Sequence, residues 1–237
     1  MGSKARLAKE LAPKINDIIS RNNIETYIEP FVGGANMIEH IDCNKRIGSD
    51  NNEYLIEMWN KLQYGWKPPE TLSKEQYESI RDNKNKYNKE IVSVAGFCAT
   101  YNAKWFGGYA GIVKTKINTY RNYYDESVRN ILKQMDSLKD VEFLNVDYTY
   151  YSDYKNCLIY CDPPYQGTTQ YGTSKEFDYD KFWNWIREMS KHNIVLVSEY
   201  NAPLDFNIIY EKTLTTTLDK SSRKKDTEKL YILKNVS

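Results

Sequence analysis

At 237 residues the chain is long enough for one ordinary domain with a sizeable insertion, and it carries four cysteines and two histidines. Cys43, Cys98, Cys157 and Cys161 show neither paired zinc spacing nor a Cys-x-x-Cys motif, and His40 and His192 are too few for a histidine metal cluster. No signal peptide and no bilayer-length apolar run is present, so metal, disulfide and membrane classes are set aside and a reducing cytoplasm is expected.

The 33 Lys and Arg nearly cancel the 32 Asp and Glu, but unevenly. Residues 61–139 carry a net +6 and residues 212–237 a net +4, whereas the remainder carries −9. A basic insertion and tail on an acidic frame suit a polyanion gripped by two segments, or ordinary solvated charge, which is the reading that charge alone favours.

Leu7, Leu11, Ile15, Ile18 and Ile19 recur at helical spacing, which predicts a helix over 4–20. A short strand over 26–29 breaks at Pro30-Phe31-Val32-Gly33-Gly34, and a helix is predicted over 35–41. Strand, glycine turn and helix open a βαβ unit whose glycines let a ligand approach the backbone. A second strand near 46–48 ends at Ser49-Asp50-Asn51, with Asp50 17 residues beyond Gly33. Doubly wound folds place an acid there to accept from ribose hydroxyls. The phosphate fingerprint G-x-G-x-x-G is absent, which argues against a dinucleotide and for a nucleoside cofactor such as S-adenosylmethionine.

A helix over 52–62 is followed by Gly65 as its cap and by a boundary at Trp66-Lys67-Pro68-Pro69. Residues 70–92 read as polar and lysine-rich, with too few apolar positions for a large core. From 97 to 124, Tyr101, Trp105, Phe106, Tyr109, Tyr120, Tyr123 and Tyr124 are interleaved with Lys104, Lys114, Lys116 and Arg121. That texture suits a surface that holds phosphates and stacks bases, or a small aromatic core with its lysines in water. A helix over 128–138 leads into a strand over 141–146 that ends at Asp147-Tyr148.

The apolar run Leu158-Ile159-Tyr160-Cys161 ends in Asp162-Pro163-Pro164-Tyr165. It reads as a buried strand that the prolines stop, which sets the tetrad at the rim of a crevice. Asp-Pro alone reads as a strand-ending turn, whereas the whole tetrad after an apolar strand favours a site, and the chemistry that suits it is a planar aromatic amine. An ionised Asp162 accepts one N–H, and the Pro163 carbonyl, held away from helical geometry by the next proline, accepts the other. Two acceptors out of the ring plane return the nitrogen lone pair, and Tyr165 offers a stacking face. A mobile loop is expected over 166–177, then a helix over 182–189 and a strand over 194–198. Strands near 207–210 and 229–233 flank a basic loop holding Arg223-Lys224-Lys225.

Taken in order, Glu29-Pro30-Phe31-Val32-Gly33-Gly34, Ser49-Asp50-Asn51, Lys104-Trp105-Phe106-Gly107-Gly108-Tyr109, Asp162-Pro163-Pro164-Tyr165 and Ser222-Arg223-Lys224-Lys225, after Met1-Gly2-Ser3-Lys4, resemble the Dam-like family of N6-adenine DNA methyltransferases, orphan enzymes of phages and mobile elements in particular. The resemblance implies an α/β fold: a Rossmann-like class I methyltransferase sheet from 1–65 and 140–237, with a small, mainly helical target-recognition insertion at 66–139. It implies S-adenosylmethionine as cofactor, with Lys4, Glu29, Phe31, Gly33, Gly34, Asp50, Asn51, Asp147 and Asp162 as its contacts. Asp162, Pro163, Pro164 and Tyr165 take the flipped adenine of double-stranded DNA. Lys104, Trp105, Tyr109, Lys114, Lys116, Arg121, Arg223, Lys224 and Lys225 hold the duplex. No metal and no membrane are implied; a monomer or weak dimer in a bacterial cytoplasm is expected. The rival readings are a methyltransferase of RNA adenine or of another amino group, and a non-catalytic DNA-binding module on the same fold.

Overall fold

The computed structural model describes residues 5–114, 118–166, 177–216 and 224–234. Its strands are β1 (Thr26–Glu29), β2 (Lys45–Ser49), β3 (Ile112–Lys114), β4 (Tyr120–Asn122), β5 (Val141–Leu144), β6 (Cys157–Cys161), β7 (Ile194–Glu199), β8 (Phe206–Thr216) and β9 (Lys224–Leu233). Its helices are α1 (Ala5–Arg21), α2 (Glu53–Gln63), α3 (Lys74–Asp82), α4 (Lys89–Cys98), α5 (Tyr123–Leu138) and α6 (Tyr179–Met189).

Seven strands form one sheet in the order β5-β2-β1-β6-β7-β9-β8, and β3 and β4 form a separate hairpin. The pairings from β5 across to β7 are parallel, while β9 runs antiparallel to both β7 and β8. This is a mixed, Rossmann-like sheet, as the resemblance implies. Parallel strands covered on both faces need near-continuous apolar runs, and all five residues of β6 are buried. On one face Tyr27, Leu158, Tyr160 and Leu196 pack with Leu11, Ile15, Trp59 and Ile131 of α1, α2 and α5. On the other, Ile28, Ile159, Val195 and Val197 pack with Phe182, Trp185 and Ile186 of α6. Each such side chain contributes about 1.5–3 kcal/mol, so this double layer, rather than any tip residue, holds the tips in place.

Three elements depart from the sequence reading. The helix expected over 35–41 is only a 3-10 turn, Ile38–His40. Gly33 and Ala35 hold φ of 45° and 53°, and that left-handed backbone delays regular helical bonding. Secondly, residues 70–92, read as having too few apolar positions for a large core, add to a shared one. Leu72, Tyr77, Ile80 and Val92 join the same core as α2, and Ser73 and Gln76 form a capping box on α3. Thirdly, β8 and β9 are far longer than expected and pair up to Thr216 opposite Lys224. The β-branched Thr213, Thr215 and Thr227 favour extended backbone, so Lys224 and Lys225 lie in a strand rather than in a loop.

Gly65, at φ 84°, closes α2 with its N–H on the Leu62 carbonyl (3.0 Å), as expected of a left-handed cap. The expected loop over 166–177 falls largely on residues outside those described, as do Lys4, Lys116 and Arg223.

Candidate active site

Strand order reverses between β1 and β6, and the register sets Ile28 beside both Ile47 and Ile159. The carboxyl ends of β2, β1 and β6 therefore finish side by side, at the switch point where open α/β sheets bind ligands. Asp50 follows β2, Glu29 closes β1 and Asp162 follows β6, so three acids predicted from separate stretches come to one edge.

The glycine turn after β1 is braced from several sides. The Val32 N–H donates to the Ser49 carbonyl (2.8 Å) and the Ala35 N–H to the Val32 carbonyl (2.8 Å). The Trp59 indole of α2 donates to the Gly33 carbonyl (3.1 Å), and the Gln134 amide of α5 to the Gly34 carbonyl (3.2 Å). Asp50 closes the turn, accepting from Gly33 N–H (3.3 Å) on one oxygen and Asn52 N–H (2.9 Å) on the other. Burial pushes the Asp50 carboxyl above the ordinary aspartate value, and the Asn52 and Gly33 amides pull it back. Asn51 is exposed, while Asn52 caps α2 by accepting from the Tyr54 and Leu55 amides.

Glu29 is 3% exposed, accepts from the Tyr27 hydroxyl (3.1 Å), and is held well above its ordinary range, by burial first and by the Asp162 charge. A carboxyl raised on folding is neutral in both states at low pH and costs stability as pH rises past its unfolded value. Glu29→Gln keeps an acceptor for Tyr27 and removes this cost. Its melting temperature is expected to exceed the parent's near neutral pH, with the gap closing as pH falls towards 4.5. A pH-independent gap in thermal denaturation contradicts this.

Around the tetrad, Pro163 is buried and Asp162, Pro164 and Tyr165 are half-buried. The Tyr179 hydroxyl, in the first turn of α6, donates to the Pro164 carbonyl (2.9 Å). That is not the carbonyl assigned to the amino group, which is Pro163's. The Tyr165 hydroxyl donates to Glu228 Oε2 of β9 (2.6 Å), and its ring meets Tyr200 edge-on, 4.7 Å between centroids. Burial first, then the charges of Asp162 and Glu228, raise the Tyr165 hydroxyl well above the usual phenol range. Phe31 stacks on Tyr148 (5.7 Å) and meets Phe177 and Phe182 edge-on, an aromatic wall below the β1 tip. Asp147 is exposed and spends an oxygen on the Thr149 amide (3.0 Å) and hydroxyl (2.6 Å).

The residues assigned to the duplex divide in two. Lys104, Lys114 and Arg121 are exposed, Arg121 lying over the Tyr123 ring (4.4 Å) and ion-paired with Glu126 (2.8 Å). Trp105 and Tyr109 are half-buried and pack against the core. Trp105 lies 4.6 Å from Phe97 and sits on Gly96, where any Cβ would come 2.4 Å from the indole. Tyr109 donates to the Leu72 carbonyl (2.7 Å) and packs on Tyr77 (5.5 Å). The aromatic core weighed as an alternative for this stretch is therefore real, with lysines on its outside.

Sequence reasoning missed Trp59, Gln134, Tyr179, Glu199, Tyr200 and Glu228. Glu199 had a signal, since it ends an apolar strand as Asp162 does. The others reach the site across long sequence separations and left none. The residues at this edge fit S-adenosylmethionine: Asp50 is an acceptor of the kind ribose hydroxyls need, and the turn is open at Gly33, where an added Cβ would meet only the Phe31 carbonyl, at 3.9 Å. Among the described residues no helix is long and apolar enough to cross a membrane, and no group of His, Cys, Asp or Glu is placed to hold a metal ion.

Residues 1–225 match the family model described as D12 class N6 adenine-specific DNA methyltransferase. The type II methyltransferase M.MjaIII of Methanocaldococcus jannaschii is 26% identical over 251 residues, covering 89% of this chain and 86% of that protein. The type II methyltransferase M.FokI of Planomicrobium okeanokoites is 23% identical over 221 residues, covering 82% of this chain but only 32% of that protein. Among solved structures, the rRNA methyltransferase aviRa of Streptomyces viridochromogenes superposes with a TM-score of 0.46 and 8% identity, covering 98% of this chain and 86% of that one.

Proposed function

Because the chain belongs to the D12 class N6 adenine-specific DNA methyltransferases, S-adenosylmethionine-dependent enzymes of DNA adenine, we propose how its own residues perform that reaction. The observation that carries the proposal is the convergence of Glu29 to Gly33, Asp50 and Asp162 to Tyr165 at one sheet edge. In this reading Asp50 accepts from the cofactor's ribose hydroxyls, the 30–34 turn lies against its nucleoside, Asn51 and Asp147 border the same pocket, and Lys4 is a cofactor contact. The bound cofactor supplies an electrophilic methyl group on a sulfonium.

The target adenine leaves the duplex stack, because its amino group is out of reach inside the helix. Tyr165 stacks on the extruded base. Asp162 accepts one N6 hydrogen bond and the Pro163 carbonyl the other, which draws the lone pair out of the ring and aims it. The protein supplies positioning and electrostatics, with no covalent enzyme intermediate. Residues 66–139 act as the target-recognition unit, with Lys104, Lys114, Lys116 and Arg121 on phosphates and Arg223, Lys224 and Lys225 adding backbone contacts. Trp105 and Tyr109 support that surface from behind. A monomer or weak dimer in a bacterial cytoplasm belongs to the same reading.

Each phosphate contact contributes about 0.9 to the slope of log affinity against log salt. The double variant Lys104→Ala, Lys114→Ala is thus expected to flatten the slope for duplex binding by about 1.8, with cofactor binding unchanged. An unchanged slope removes both lysines from the interface.

A further inference from the structure

Resting on the reading that Tyr165 stacks on the target base, we infer that Glu228 is its positioning residue: it fixes the ring through the hydroxyl and ties the reaction site to the β8–β9 hairpin. Glu228 is 63 residues from Tyr165 and on the antiparallel strand, yet its Oε2 accepts from the Tyr165 hydroxyl at 2.6 Å. That length is in the range of charge-assisted O–H···O⁻ bonds, which are roughly twice as strong as neutral ones.

The tyrosine is gripped elsewhere too. Its ring meets Tyr200 edge-on at 86°, and Tyr200 is fixed in turn because its carbonyl accepts from the Tyr231 hydroxyl (3.1 Å). Glu199, 2% exposed, accepts from the Tyr200 amide (2.7 Å) on one oxygen and from the Gln166 amide, next to Tyr165, on the other (3.2 Å). The backbone after the tetrad, the ring edge and the hydroxyl are thus held from β7 and β9. The Glu228 bond adds a hold on the hydroxyl to the contact at the ring edge and so narrows the ring's torsional freedom. The same strand begins at Lys224, so β9 joins the platform to the basic end of the hairpin.

The test is a double-variant cycle of Glu228→Ala and Tyr165→Phe, read by kcat, by the KM for duplex DNA and by 2-aminopurine fluorescence at the target position. A hydrogen bond to a charged group corresponds to about a tenfold to hundredfold effect. Each single variant is expected to lose that much in kcat/KM and in the fluorescence rise that marks an extruded base, with cofactor binding retained. The double variant is expected to be little worse than either single variant, because both remove one bond. Glu228→Gln, which keeps an acceptor for the hydroxyl without the charge, is expected to recover only part of the loss, and it replaces Glu228→Ala in the cycle with Tyr165→Phe if the alanine variant does not fold. Additive losses, or full fluorescence in Glu228→Ala, overturn the inference. A parent enzyme that does not methylate DNA at all would instead remove the underlying reading.

Discussion

Asp162→Ala is expected to lower methyl transfer by at least about 10²–10³-fold, the effect of deleting one preorganised electrostatic partner, while cofactor binding stays largely intact. The adenine amino nitrogen is a poor nucleophile because its lone pair is delocalised into the ring. Asp162 acts only once that nitrogen is in place, so its loss falls on the chemical step. Asp162 stands past the end of β6, whose five residues are all buried. Truncation at the strand tip therefore leaves the frame standing. Asp162→Asn keeps a carbonyl acceptor without the charge and is expected to fall between the two. Single-turnover kinetics with labelled cofactor separate the step from binding. Near-parental turnover in Asp162→Ala removes it from the mechanism, and lost cofactor affinity reassigns it to the cofactor pocket.

Asp50→Ala is expected to act on the other partner. It deletes acceptors for the Gly33 and Asn52 amides at 3.3 and 2.9 Å, together with the proposed acceptor for ribose. With charged hydrogen bonds at about 1.5–3 kcal/mol each, cofactor affinity is expected to fall by about tenfold to a hundredfold or more. The pH dependence carries a sign. Burial raises the Asp50 carboxyl above the ordinary 3.8, and only the ionised form is a pure acceptor. Cofactor affinity should therefore begin to fall on acidification at a higher pH than an ordinary aspartate would give, and Asp50→Asn should abolish that component. Calorimetric titration across the acid range checks both. Parental affinity in Asp50→Ala places the ribose elsewhere.

The sheet and its tips were legible because their signals are local. Cys157 to Cys161 is an apolar run ended by a carboxylate and two prolines, and Thr26 to Glu29 runs into a glycine turn, so β1, β6 and the site between them follow from short stretches. Helix α5 showed its apolar spacing, and only its first five residues, 123–127, capped by Asn122 on the Asp125 amide, were missed. The 3-10 turn at 38–40 was not legible because nothing local announces the left-handed backbone of Ala35. The length of β8 and β9 was hidden for another reason: threonines and lysines read as a polar loop until the two strands are placed opposite each other. Trp105 shows the same limit. Beside a lysine it reads equally as a base-stacking ring or as core, and only the bare surface of Gly96 decides that it packs. The bracing of the site by Trp59, Gln134 and Glu228 depends on pairs separated by 26, 100 and 63 residues, which no short motif encodes.

The most direct test of the central claim is transfer of labelled methyl from S-adenosylmethionine to unmethylated duplex DNA, followed by digestion to nucleosides, with RNA as a parallel substrate. The expected result is label in N6-methyladenine from DNA alone, lost in Asp162→Ala. Label in cytosine, or in RNA in preference to DNA, would contradict the chemistry assigned to Asp162, and bound cofactor that never transfers would reduce the chain to a DNA-binding module.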